Sequence, residues 1–267
     1  MNMMLKRIII SMLSAGLILF AVEPALAQDS TIQNMRYPNK TVTGSESAGL
    51  KGSLENLRAR ALSEIDRRID ALNKALNRLK NMKKISDADK SALSVQIQTE
   101  ITNLTTLKSK IQADSDLATL KVDTQSIVTS YRVFLLFLPQ MRLLAGADSI
   151  NQVADNLTAL EGKLKIRTTA AQTAGKDVTA LLTLAADMDA KIADAKTLSV
   201  AISALVVPLT PTGYPGNSSI LMDAKIKLMA GITDLKTAGQ DARQIIQGLK
   251  ALGKMNDSMS TPSAKPL

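Results

Sequence analysis

Residues 61–80, ALSEIDRRIDALNKALNRLK, place Leu62, Ile65, Ile69, Leu72, Leu76 and Leu79 at alternating steps of three and four. At 3.6 residues per turn this spacing lays the six side chains along one stripe of an α-helix. A strand could not use it, because its side chains alternate faces with a period of two. Glu64 precedes Arg68, and Asp70 precedes Lys74, by four residues, the favourable order for acid–base support along a helix. The first helix is predicted from about Gly52 to Lys84.

Working outward, Ser86-Asp87-Ala88-Asp89 has the form of an N-cap with an acid three residues on. A second helix follows, with Leu93, Ile97, Ile101, Leu104, Leu107 and Ile111 on its seam. So short a turn between two long helices forces them antiparallel, giving a helical hairpin over 51–112. Further long helices are predicted over 113–206. The first starts after Asp114-Ser115-Asp116 and meets Pro139, which lacks an N–H and should kink or break it. The next turns Ile150, Val153, Leu157, Leu160 and Leu164 inward. Gly175 and Asp177 read as a helix end followed by an N-cap, and Leu181, Ala185, Met188, Ile192, Ile202 and Leu205 as the following seam. A Pro/Gly loop spans 207–218, and a C-terminal helix spans 219–252 with Leu221, Leu228, Ile232, Leu235, Ile245, Leu249 and Leu252 inward. The tail 253–267 is polar and reads as disordered. The expected fold is all-α: long antiparallel helices in an elongated bundle or coiled-coil hairpins, with no β-sheet.

Upstream, residues 1–27 have the order of a secretory signal peptide: Lys6 and Arg7, an apolar run Ile8–Val22, then Ala25-Leu26-Ala27 as the cleavage site. The apolar run falls short of the ~20 residues of a spanning helix. Export to the periplasm, cell surface or medium is therefore expected, with residues 28–50 as a flexible tether. Removing Lys6, Arg7 and Glu23 leaves 31 basic and 23 acidic residues, a net charge of +8. That excess favours anionic partners.

The absences restrict the chemistry further. Without Cys there is no disulfide framework, and without His the commonest general base and metal ligand are missing. A Ser–His–Asp triad, a thiol protease and an ordinary zinc site are excluded. Past residue 27 the aromatics are Tyr37, Tyr131, Phe134, Phe137 and Tyr214, too few for the ring platforms of a single-strand groove. The glutamates after the leader (Glu46, Glu55, Glu64, Glu100, Glu161) fall on different segments, so no paired carboxylates stand out. No catalytic, cofactor-binding or metal-binding residue is predicted, and a non-enzymatic role is expected.

Two stretches are candidate contact sites. Val133-Phe134-Leu135-Leu136-Phe137-Leu138 is apolar on every side of a helix, and Met141, Leu143 and Leu144 extend it. Such a segment is either the hub of a bundle or a surface for a partner or membrane. Tyr131, Phe134, Phe137 and Leu138 form the candidate interaction patch. Lys74, Arg78, Lys80, Lys83 and Lys84 form the most basic run, a candidate patch for an anionic partner, or simply a solvated face.

The segments EIDRRIDALNKALNRLKNMKKISDADKSALSVQIQTEITNL (64–104), DLATLKVDTQSIVTSYRVF (116–134) and TAGKDVTALLTLAADMDAKIADAK (173–196) resemble exported, coiled-coil-like helical proteins of candidate-phyla bacteria. The resemblance implies helical architecture and export, and no activity. Three readings follow. One is an envelope scaffold that contacts other envelope or surface proteins, or itself as a homo-oligomer. The second is a basic periplasmic or surface binder of anionic polymer, either nucleic acid or an envelope polymer, or a chaperone-like helical protein. The third is a membrane-active protein using Val133–Leu144.

Overall fold

The computed structural model describes residues 46–259, with side chains described for 52–253. The predicted signal peptide, residues 28–45 of the predicted tether and residues 260–267 lie outside the described residues. The chain divides at residue 51, and the packing below is that of the unit beginning at Gly52. The structure is 89 % helical, without a strand among the described residues. Its elements are α1 (Glu46–Asn81), α2 (Asp87–Ala113), α3 (Leu117–Thr129), a π turn (Val133–Phe137), α4 (Leu138–Thr173), α5 (Thr179–Val206), a 3-10 turn (Pro211–Gly213) and α6 (Asn217–Met259). Four boundaries move. Residues 46–50 of the expected tether are helical, α1 stops at Asn81 rather than Lys84, the last helix starts at Asn217 inside the expected loop, and it runs through residue 259, taking up the start of the expected tail.

Local signals set the helix ends. The Ser86 hydroxyl accepts the Asp89 N–H at 3.0 Å, and Asp116 accepts the Thr119 N–H at 2.8 Å, each satisfying a donor the first turn would otherwise orphan. Gly175 sits at φ +73°, a conformation that costs an L side chain energy. There the Lys176 N–H donates to the Ala171 carbonyl and the Gly175 N–H to Gln172, closing α4. Asp177 accepts the Thr179 N–H from one position before the cap residue, Val178.

Helices α1 and α2 are antiparallel. The Arg58 guanidinium donates to the carbonyls of Ile111 and Asp114, and Lys108 pairs with Asp66 at 2.5 Å. The expected ion pairs Glu64–Arg68 and Asp70–Lys74 form. The seam of α1 is a correction. Ile65, Leu72 and Leu79 form its spine, but the deeper side carries Ala61, Arg68 and Ala75, with Met82 buried just past its end, leaving Leu62, Ile69 and Leu76 half-buried. Size and hydrophobicity pointed to the wrong flank of the right spine.

The break before α4 is a second correction. Pro139 lies in the first turn of α4, directly after the π turn, and does not end the helix. The chain breaks earlier, at Arg132, which adopts φ 47°. That left-handed conformation costs about 1 kcal/mol or more outside glycine. The Arg132 guanidinium stacks 4.5 Å from the Tyr214 ring centroid, so the loop before α6 holds the break in place. The π turn then widens the helix just ahead of the proline, with the Leu138 N–H donating to the Val133 carbonyl.

Helices α4, α5 and α6 form a three-helix bundle with closely approaching backbones. Small residues permit the approach. Ala154, Ala185, Ala195, Ala224, Ala238 and Ala242 are buried. Gly146 receives Leu228, Gly231 receives Ile150 and Gly248 receives Leu181, so close that an added Cβ would stand 2.6, 2.9 and 2.4 Å from those side chains. The turn of the hairpin docks on α4. The Lys84 N–H donates to Asp148, and Asp155 pairs with Lys84 at 2.6 Å and with Lys196 of α5 at 3.0 Å. Gln140 donates to the Val206 carbonyl at 2.5 Å and Gln96 to Val207 at 3.3 Å. One hydrophobic core runs from Ala61 to Ile245.

Candidate functional site

The four residues of the predicted interaction patch do not form one surface. Phe137 is 1 % exposed and lies in the core with Val133 and Leu136, which corrects the expectation that it faces a partner. Tyr131, Phe134 and Leu138 are half-buried, and the Phe134 ring lies under the guanidinium groups of Arg67 and Arg68 at 4.4 and 4.8 Å. Leu135 is the side chain of this run that reaches solvent. Met141, Leu143 and Leu144 are buried as well. The hub alternative thus describes the segment: it is apolar on all sides because the hairpin and the three-helix bundle both pack on it. Residues Leu117–Thr173 are long and apolar enough to cross a membrane by length and composition. Just over half of their most apolar window, 56 %, is buried inside this core.

The basic run on α1 also separates. Lys74, Arg78, Lys80, Lys83 and Lys84 are all exposed, but Lys74 is paired with Asp70 at 2.7 Å and Lys84 with Asp155. Arg78 and Lys80 flank the buried Leu79, roughly 200° apart around the helix. No single basic face results.

Sequence reasoning missed a buried polar cluster between α2 and α3. Glu100 is 7 % exposed, and burial pushes its carboxyl up to about 7, opposed by a hydrogen bond from Asn103. Burial also raises the Tyr131 phenol, reinforced by Glu100 and Asp123. Asp123 accepts Lys110 at 2.8 Å. Asp114 is raised by burial and by the neighbouring Asp123 carboxylate. One carboxylate oxygen each of Glu100, Asp114 and Asp123 is buried without a hydrogen-bond partner, and no set of three or more acids converges as a metal site among the described residues. A groove of about 300 Å³ on α2, lined by Val95, Gln98, Thr99, Thr102 and Asn103, has walls from that helix alone.

The outer face of α6 is different. Met222, Ile226, Met229 and Ile232 are 47, 62, 47 and 43 % exposed, whereas the charged Asp223, Lys225, Lys227 and Asp234 between and beside them are half-buried. This inverts the usual ordering of a surface helix. It also corrects the inward assignment of Ile232: the buried seam of α6 runs instead through Ala224, Leu228, Leu235, Ala238, Ala242 and Ile245. The sequence did carry a sign, since residues 220–232 (ILMDAKIKLMAGI) hold two apolar stripes. The small residues took the inside because they let α4 and α5 come close.

Beyond Ile232 the same face becomes basic. Lys236, Arg243 and Lys250, seven residues apart, are exposed along one side, with Lys225 in line with them. None of the four has an ion pair among the described residues. The described acids of α6 lie on the other side, toward α5: Asp234 pairs with Lys191 at 3.3 Å, Asp241 is buried against Asp187, and Asp223 pairs with Lys227 at 3.4 Å. No family model, curated protein or solved structure matches this chain.

Proposed function

We propose that this is an exported, non-enzymatic helical scaffold or interaction protein of the cell envelope, and that it makes contact through the outer face of α6. One observation carries the reading: Met222, Ile226, Met229 and Ile232 stand in solvent while their charged neighbours are half-buried. An apolar stripe kept outside a helix whose small residues already fill the core has no use in the fold, and contiguous apolar patches of this kind mark contact sites. Export rests on the order of charges, apolar run and small residues in 1–27, and the non-enzymatic role on the missing His and Cys. The resemblance to exported helical proteins agrees with export.

The test is fractionation of cells producing the wild-type chain and Ile226→Glu. The wild type is expected in the envelope fraction, beginning at Gln28 by N-terminal sequencing. The variant, with an unchanged circular-dichroism melt, is expected to lose that retention. Equal retention of both proteins would remove α6 from the reading, and an uncleaved chain in the cytosol would remove export.

A further inference from the structure

We infer that the outer face of α6 lies flat on an anionic lipid surface. The inference rests on the reading of α6 as the contact face and names what that face meets. The face has two parts in line. Met222, Ile226 and Met229 offer apolar side chains over its first turns, and Lys236, Arg243 and Lys250 offer charge over its later ones, with Lys225 and Ile232 along the same edge. A helix with apolar side chains at one level and cations beside them suits the headgroup boundary of a bilayer. There the apolar groups enter the acyl edge, and lysine and arginine stems reach back to phosphates.

Charge decides between the possible occupants. The described acids of α6, Asp223, Asp234 and Asp241, are on its α5 side, paired or buried; on α4, Asp155 is paired with Lys84 and Lys196, Glu161 is buried and paired with Lys165, and Asp148 is buried and accepts the Lys84 N–H. A phosphate-bearing plane on this face would therefore meet four cations with no opposing carboxylate among the described acids of α4 and α6. A second copy packed through the same face of α6 would bring no described acid of that face to them. Packed parallel it would set cation against cation, and packed antiparallel it would set the apolar turns against the basic ones. A nucleic acid would take the cations and leave Ile226 and Met229 in water. An anionic bilayer satisfies both parts.

The experiment is co-sedimentation of the chain from Gln28 onward, which keeps the whole core and omits the apolar N-terminal run, with two kinds of vesicle. One is phosphatidylcholine alone; the other is phosphatidylcholine mixed with phosphatidylglycerol. Binding is expected to the mixed vesicles, to weaken with added salt and to be slight on neutral ones. Lys236→Gln, Arg243→Gln and Lys250→Gln should each weaken it about five-fold, the effect of one cation near an anionic surface. Ile226→Glu should weaken it at least ten-fold with the melt unchanged, while Lys74→Gln and Arg78→Gln on α1 leave it as in the wild type. No vesicle binding together with a dimer that Ile226→Glu dissolves would overturn the lipid inference and keep α6 as a contact face. Binding to DNA or heparin that Ile226→Glu does not alter, with no vesicle binding, would overturn it in favour of a polyanion. Neither vesicle binding nor any association sensitive to Ile226 would overturn both.

Discussion

The hairpin α1–α2 and the bundle α4–α6 are both antiparallel helix assemblies, yet they are held together by opposite means. The hairpin is filled by large side chains, with Ile65, Leu72 and Leu79 against Leu93, Ile97, Leu104 and Ile111, and its backbones stand further apart. The bundle is seamed with alanine and glycine, and its backbones approach until individual leucines and isoleucines sit over Gly146, Gly231 and Gly248. Stability in the first resides in apolar area, in the second in close fit. The hairpin should therefore be hurt by making residues smaller, and the bundle by making them larger.

The largest effect is expected at Leu72. Its replacement by alanine should cost about 2–5 kcal/mol in urea unfolding, as for a fully buried leucine. Ile69, half-buried on the flank, should cost clearly less, and equal losses would show that the seam is not where the structure has it. Next comes Glu100. With its carboxyl raised to about 7, the folded chain holds a proton that the unfolded chain releases near its ordinary value of about 4.3. Stability contributed by the neutral form is therefore lost as pH rises between those values, and above about 7 the burial penalty is complete. Glu100→Gln should flatten that decline and raise stability at pH 8 by about 1–3 kcal/mol, a variant no more stable than wild type being the contrary result. In the bundle, Gly146→Ala drives a Cβ onto Leu228, and overpacking by about 1–3 kcal/mol exceeds or cancels the roughly 1 kcal/mol gained in helix propensity. Gly162, also within α4, has nothing within 4 Å of an added Cβ, so Gly162→Ala should stabilise by up to about 1 kcal/mol. The same sign for both glycines would break the contrast.

This contrast also explains what the sequence could and could not reveal. Helix existence, the caps at Ser86 and Asp116 and the glycine end at Gly175 were legible, because each is set by residues within one turn. Faces were less legible. Val153, Leu157 and Leu160 were read as the seam of α4, but Ala154, Glu161 and Thr168 lie deeper. Hydrophobicity ranks side chains by what they gain from burial, whereas a close helix contact selects those that take least room. The same reason hid the α6 face, where Ala224 and Gly231 went inward and Met222 and Ile226 stayed out. Pro139 drew attention to the wrong break, because a proline is visible in a sequence. The stacking of Arg132 on a tyrosine far along the chain is not.

Asp155 has a consequence of another kind. Its carboxylate, held below the usual range by Lys84 and Lys196, joins a turn near the start of the described chain to a helix well beyond its middle. Contacts beside the turns of α1–α2 and α5–α6 close over short stretches of chain and let each pair zip outward, whereas the Lys84–Asp155 joint has no such local start and carries the larger loop entropy. Assembly would then run as two local zippers followed by one docking event, with the joint formed last. Asp155→Asn should accordingly speed unfolding far more than it slows folding in stopped-flow chevrons. Equal effects on both limbs would place the docking step early. For a chain that folds after export, this order would give it two structured halves before it has a whole.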